Sequence, residues 1–329
     1  MYLHERAQHA DMNIPEDNTM RPFLFFIIRK AKKYKKKHNL PDTRTLTDEM
    51  LEKRRKLNAD PDYYDCFSLD EKAREGVDLK KIPLPNCQAW MISTSANPSD
   101  RILYYIHGGG FWEGSTKQGF RFVSYVAKHW GYNVFSIDYR LCPQYKCADT
   151  LNDCQAGYEH LLKTFAPKHI ILMGESAGGN MVFALSHRLR ANGLPFPGGI
   201  ISCSPVLQFL HYPYSYYECA NKTDYGIIFG INEIIEHYRG DLPIDSPYVS
   251  PLLGDLTGFP PVYLDASSCE SLRDEARMMY VLLKEKNIDV EYHELRDFLH
   301  ALVLAPQLRF VRREEHPLIQ SFIKKVFAE

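Results

Sequence analysis

The sequence predicts an α/β protein, with a mainly parallel central sheet flanked by helices and a helical lid added to it. Three observations carry this expectation. From Gln88 onward, short apolar, β-branched and aromatic runs alternate with stretches of helical period, which requires crossover connections between parallel strands. The alternation is absent over residues 1–85 and breaks again over about 208–250, where the pattern is helical. The chain has 329 residues, 45% hydrophobic and 25% charged, which is ample material for one large core.

Residues 1–85 are read as an N-terminal helical lid segment without strands. An apolar run at Phe23 to Ile28 is followed by RKAKKYKKKH, and TDEMLEKRRKLN reads as a capped amphipathic helix. Residues 86–329 are read as the main domain. Seven strands are expected there, at AWMIS, ILYYI, YNVFSI, HIILM, GIISCS, PVYLDA and VEYHEL. Helices are expected to begin near Gln118, Ala148, Ala177 and Leu272. Between Gln208 and Tyr248 an aromatic stretch containing GIIFGINEIIEHY reads as a lid insertion.

Charge and cysteine usage narrow the partners. Lys plus Arg number 40 against 41 Asp plus Glu, so no global field attracts nucleic acid or an acidic membrane, and a small neutral substrate fits. The lysine cluster from Lys30 to Lys37 is read as a solvated helix face. The eight cysteines are scattered without Cys-x-x-Cys pairs or histidines at zinc-ligand spacing, so reduced thiols and no metal are expected. The first residues, MYLHERAQHADMN, lack the features of a secretory signal, which points to the cytoplasm. The Phe23–Ile28 run is far shorter than the about 20 residues that cross a bilayer, so no transmembrane segment is expected. Pairing of an edge strand with a second copy would make a homodimer, and one sequence leaves this open.

The chemistry is concentrated in three places. HIILMGESAGGNMVFALSHRL sets an apolar strand before Gly174-Glu175-Ser176-Ala177-Gly178 and a helix after it, the setting of a nucleophile elbow with Ser176 at its tip. Side chains at Gly174 or Gly178 would collide with neighbouring backbone, and the helix N-terminus favours developing negative charge. Upstream, His107-Gly108-Gly109-Gly110 follows the strand ILYYI. There the N–H groups of Gly108 and Gly109, with that of Ala177, would form an oxyanion hole. A phosphate loop at Gly109–Thr116 is excluded, because Ser115 stands where the lysine is required. The base is expected after the last strand: His300 lies just beyond it, whereas His293 lies within it and would face the sheet. The acid should follow PVYLDA, where Asp265, Glu270 and Asp274 all stand. The order serine, acid, histidine is that of the α/β-hydrolase fold.

Over about residues 85–305 the chain resembles the hormone-sensitive-lipase family of esterases. The resemblance rests on His107–Gly110 with Phe111-Trp112, on Asp138-Tyr139-Arg140-Leu141-Cys142-Pro143, on Gly174–Gly179 and on the run from Ser246 to Leu256. It implies that the acid is Glu270, two residues before the leucine of Leu272-Arg273-Asp274-Glu275, where the family usually has aspartate. Cys142 and Gln144 stand where the family usually has alanine and glutamate, a change expected to affect packing or a salt bridge. The resemblance also implies a lid built from the N-terminal helices and the insertion. Phe23, Phe25 and the tyrosines between Tyr212 and Tyr217 are then candidates for an acyl pocket, with ordinary core packing as the other reading.

The expected function is hydrolysis of short- to medium-chain carboxylic esters through an acyl-enzyme, with catalytic residues Ser176, Glu270 and His300 and no cofactor. The rival readings are an amidase or peptidase on the same fold, a non-catalytic small-molecule binding protein, and a membrane-associated lipase using Phe23 to Ile28. His300 argues against the second, because the gibberellin receptors that resemble this family lack that histidine.

Overall fold

The computed structural model describes residues 47–59, 71–219, 227–296 and 298–328. The expectations at Phe23–Ile28 and Lys30–Lys37 lie outside the described residues. Eight strands are present: β1 (Asp78–Pro83), β2 (Gln88–Ser93), β3 (Ile102–Ile106), β4 (Asn133–Asp138), β5 (Ile170–Glu175), β6 (Gly199–Cys203), β7 (Val262–Ser267) and β8 (Val290–Leu295). They form one sheet in the order β1-β2-β4-β3-β5-β6-β7-β8. β2 runs antiparallel to both β1 and β4, and every other pairing is parallel.

Seven strands stand where the apolar runs placed them. β1 is a correction, because it lies inside the segment expected to lack strands. Its sequence, DLKKIP, keeps only Leu79 and Ile82 half-buried and exposes both lysines and the proline. An edge strand paired on one side needs no continuous apolar run, and lysine and proline suit its open edge.

The helices follow the topology. α1 (Asp48–Ala59) and α2 (Glu71–Arg74) precede the sheet, α3 (Phe120–Tyr125) follows β3, α4 (Cys147–Leu162) follows β4 and α5 (Ala177–Ala191) follows β5. α6 (Tyr214–Cys219) and α7 (Ile227–Arg239) come after β6, α8 (Arg273–Glu285) after β7, and α9 (Arg309–Glu314) and α10 (His316–Phe327) close the chain. No helix of the described residues is long and apolar enough to cross a membrane.

β3 and β5 are buried along their whole length. Tyr104, Ile106 and Leu172 pack into the cluster that includes α4, α5 and α8, while Leu103, Tyr105 and Met173 pack into the one that includes α3 and α10. Complete burial of each such side chain contributes roughly 1.5–3 kcal/mol, so these central strands are a rigid base for the loops at their carboxyl ends.

Two segments from the regions expected to form the lid meet the loop after β3. Thr47 Oγ1 accepts the Met50 N–H at 3.2 Å and caps α1. From α1, Arg54 pairs with Glu113 and lies over the Trp112 ring, while Asn58 Nδ2 donates to the carbonyls of Trp112 and Cys142, each at 3.1 Å. From α7, Tyr238 stacks on Phe111 with ring centres 4.1 Å apart.

Candidate active site

The turn from β5 into α5 holds Ser176 at φ 55° and ψ −119°, a conformation that side chains avoid. The surroundings enforce it. Its N–H donates to the Cys203 carbonyl at 2.9 Å, and its own carbonyl accepts the Asn180 N–H at 3.1 Å. The glycines flanking it are needed for close approach, as expected. A Cβ on Gly178 would stand 2.0 Å from the Ile106 carbonyl oxygen, and one on Gly174 would stand 2.4 Å from the Gly178 oxygen.

His300, on the loop after β8, places Nε2 2.8 Å from Ser176 Oγ. Its Nδ1 lies 2.7 Å from Glu270 Oε2, on the loop after β7. An ionised carboxylate can only accept, so the proton belongs on Nδ1, and Nε2 accepts from the serine hydroxyl. Glu270 is fully buried, and its second oxygen accepts the Ser267 N–H at 2.7 Å. The Ser267 hydroxyl donates to the Phe298 carbonyl and accepts the Cys269 N–H at 3.0 Å, which ties the two loops together.

The other two candidate carboxyls, Asp265 within β7 and Asp274 in α8, are engaged elsewhere. Asp274 receives Arg273 at 3.0 Å and the Ser215 N–H at 2.9 Å, and Asp265 receives the Ser204 N–H at 3.2 Å. His293 lies within β8 and stacks on Tyr263.

The glycine loop after β3 turns through three consecutive residues of positive φ, Gly109, Gly110 and Phe111. Its start is fixed by the Asp138-Tyr139-Arg140 run. Tyr139 stacks on His107 at 4.2 Å and its hydroxyl donates to the His107 carbonyl at 2.8 Å. Asp138 accepts the Thr116 N–H at 2.7 Å, and Arg140 pairs with Asp153 at 2.8 Å. The two departures from the family pattern both turn toward α1: the Cys142 carbonyl accepts from Asn58, and Gln144 Nε2 donates to the Arg55 carbonyl at 2.6 Å.

Gly108 departs from the expected trio of oxyanion donors. Its N–H donates to Glu175 Oε1 at 2.5 Å, so it is already committed to a carboxylate. The N–H groups of Gly109, Gly110 and Ala177 take no protein acceptor among the described residues. Glu175 was not singled out as a functional residue. Its signal was its place between Gly174 and Ser176, and its reach to Gly108 depends on two strands far apart in sequence. Burial raises its carboxyl to about 7, with the Gly108 N–H and the nearby His300 acting in the other direction.

Of the tyrosines proposed for an acyl pocket, Tyr212, Tyr214 and Tyr217 are exposed. Tyr216 is buried and donates to Glu275 Oε1 at 2.6 Å. One buried group, Cys203, Asp265 and Glu315, brings possible metal-ligand atoms within 4.8 Å of one another. Burial and neighbouring carboxylates push both acids up, Asp265 to about 7. A cavity of about 580 Å³, whose lining includes Lys72, Arg121, Lys128, His129 and Arg312, contains none of the expected catalytic residues.

Residues 103–304 match the family described as alpha/beta hydrolase fold. An esterase of Acinetobacter venetianus is 29% identical over 219 residues, which are 66% of this chain and 71% of that protein. Esterase LipU of Mycobacterium tuberculosis is 35% identical over 132 residues, 39% of this chain and 44% of that one. The crystal structure of an esterase from the bacterial hormone-sensitive lipase family superposes with a TM-score of 0.78 at 26% identity, covering 93% of this chain and 99% of the other. With the family match spanning more than half of its length, the chain belongs to the alpha/beta hydrolase fold family.

Proposed function

We propose that this chain is a carboxylic ester hydrolase in which Ser176 is the nucleophile, His300 the general base and Glu270 the acid that orients it. The observation that carries this reading is the continuous hydrogen-bonded line from Ser176 Oγ through His300 to Glu270, at 2.8 and 2.7 Å. Relatives named esterase support the substrate class.

Ser176 Oγ attacks the ester carbonyl while its proton passes to His300 Nε2. Glu270, buried against Nδ1, stabilises the imidazolium that forms. The negative charge on the former carbonyl oxygen is met by N–H groups of Gly109 and Ala177, with Gly110 as a further donor in place of Gly108. Collapse of the tetrahedral intermediate breaks the bond to the alcohol, which leaves with the proton from His300. Water then attacks the acyl-serine with His300 again as base and releases the acid.

The substrates are small esters of short to medium acyl length, reached beneath a lid that includes α1, α6 and α7. Contacts of α1 and α7 with the loop after β3 support the lid reading. The seven described cysteines are all free thiols, which supports a reducing, cytoplasmic setting.

The test is initial-rate hydrolysis of p-nitrophenyl esters of increasing acyl length by the wild type and by Ser176→Ala, His300→Ala and Glu270→Ala. Short-chain activity that vanishes in the first two variants supports the reading. Wild-type rates in Ser176→Ala would overturn it.

A further inference from the structure

We infer that Glu175 is a positioning residue that fastens the glycine loop to the serine turn and so sets the geometry of the oxyanion donors. This rests on the hydrolase reading above. Glu175 is the last residue of β5, immediately before Ser176, and is buried. Its Oε1 accepts the Gly108 N–H at 2.5 Å, across the gap between β5 and the end of β3. The approach is close: a Cβ on Gly108 would stand 2.7 Å from the Glu175 carbonyl oxygen, 2.8 Å from Oε1 and 3.1 Å from Ser176 Cβ.

The consequence is geometric. Ala177 follows the serine and moves with the β5 turn, whereas Gly109 follows Gly108 and moves with the β3 loop. An oxyanion held by both donors needs the two backbones at a fixed separation, because a misplacement of about 1 Å at such a site can cost on the order of 100-fold in rate. The Glu175 bond joins the two backbones one residue from Gly109 and two residues from Ala177. Tyr139 stacks on His107 and holds the carbonyl end of this same peptide through its hydroxyl at 2.8 Å, while Glu175 holds the N–H end.

The chemistry of the acceptor fits this role. Oε1 does the fastening, while the buried Tyr105 hydroxyl acts on the same carboxyl and favours its charged form. Glutamine keeps the accepting oxygen and gives up the charge. Alanine removes the acceptor, and aspartate keeps the charge one methylene short of Gly108.

The experiment compares wild type with Glu175→Gln, Glu175→Asp and Glu175→Ala by two readouts. One is affinity for an alkyl trifluoromethyl ketone, which adds to the serine and bears an oxyanion, measured against KM for an ester of the same chain length. The other is amide hydrogen exchange of the peptide spanning Gly108. Glu175→Gln should keep ketone affinity within about threefold and keep the amide protected. Glu175→Ala and Glu175→Asp should lose at least about tenfold in ketone affinity with KM within twofold, and should expose the amide. Should Glu175→Ala fail to fold, the Asp and Gln pair decides the matter alone. Wild-type ketone affinity and protection in Glu175→Asp, or loss in Glu175→Gln with retention in Glu175→Asp, would overturn the inference. The exchange readout is independent of catalysis. An inactive wild type would sink the hydrolase reading, while unchanged exchange in the folded Asp or Ala variant would sink the role of Glu175.

Discussion

Arg54 of α1 donates to Glu113 at 2.7 Å while its guanidinium lies 4.8 Å from the centre of the Trp112 ring, so one side chain clasps two consecutive residues of the glycine loop after β3. The pairing joins α1, in which only Leu51 is buried, to the glycine loop after β3.

Arg54→Met keeps the aliphatic stem and removes both interactions. Glu113 is well exposed, so the ion pair is screened and the stability loss is expected to be about 0.5–1.5 kcal/mol. Urea titrations at low and high salt check this: the difference between wild type and variant should shrink as salt rises. A loss that does not respond to salt would assign the effect to the short-range contact of the guanidinium with the Trp112 ring.

Ser176→Gly should abolish ester hydrolysis yet leave the fold intact or firmer. Relief of the positive-φ strain is worth roughly 1–3 kcal/mol, against about 0.5–1 kcal/mol lost to the greater freedom of glycine in the unfolded chain. Thermal unfolding should therefore show an equal or higher Tm. A clear fall in Tm would mean that the turn at residue 176 is not strained.

Glu270→Gln should lower kcat by about 10³–10⁴-fold with little change in KM, because an amide can present its nitrogen to His300 Nδ1 and favour the wrong tautomer. Steady-state kinetics on a short-chain ester test this. A loss below tenfold would point to a neighbouring carboxyl as the acid.

Glu275 is buried in α8 and accepts the Leu207 N–H at 2.5 Å and the Tyr216 hydroxyl at 2.6 Å, and burial raises its carboxyl to about 7. A raised carboxyl binds more protons folded than unfolded. Its contribution is fully present below the unfolded value of about 4.3 and is lost as pH rises through about 7. Buried His187 and His316, both lowered to about 4 by burial, act in the opposite sense and lose stability as pH falls through the same region. The stability of Glu275→Gln relative to wild type should improve by on the order of 1–3 kcal/mol between pH 5 and 8. Urea midpoints across that range measure it, and a constant difference would refute the raised carboxyl.

Ser176 and His300 could be read from the sequence because their signals are local: a strand, a glycine-flanked turn and a helix for one, the end of a final strand for the other. Glu270 was separable from Asp265 and Asp274 only through the family resemblance, since all three stand in or shortly after one strand. In space they diverge, because Asp274 meets two arginines and Asp265 turns toward Ser204. β1 escaped notice because an edge strand with exposed lysines looks like the charged helix beside it. Gly108 was read as a donor to the substrate because backbone direction is invisible in sequence, and so was the carboxylate that takes its N–H.

The bond between Ser176 and His300 spans 124 residues of chain. During synthesis the serine turn precedes His300 by roughly 6–25 s at about 5–20 residues per second. A nascent or truncated product ending before residue 300 would lack the hydrogen-bond partner of the Ser176 hydroxyl. On the proposed mechanism, onset of hydrolysis would thus follow the emergence of residue 300 from the ribosome.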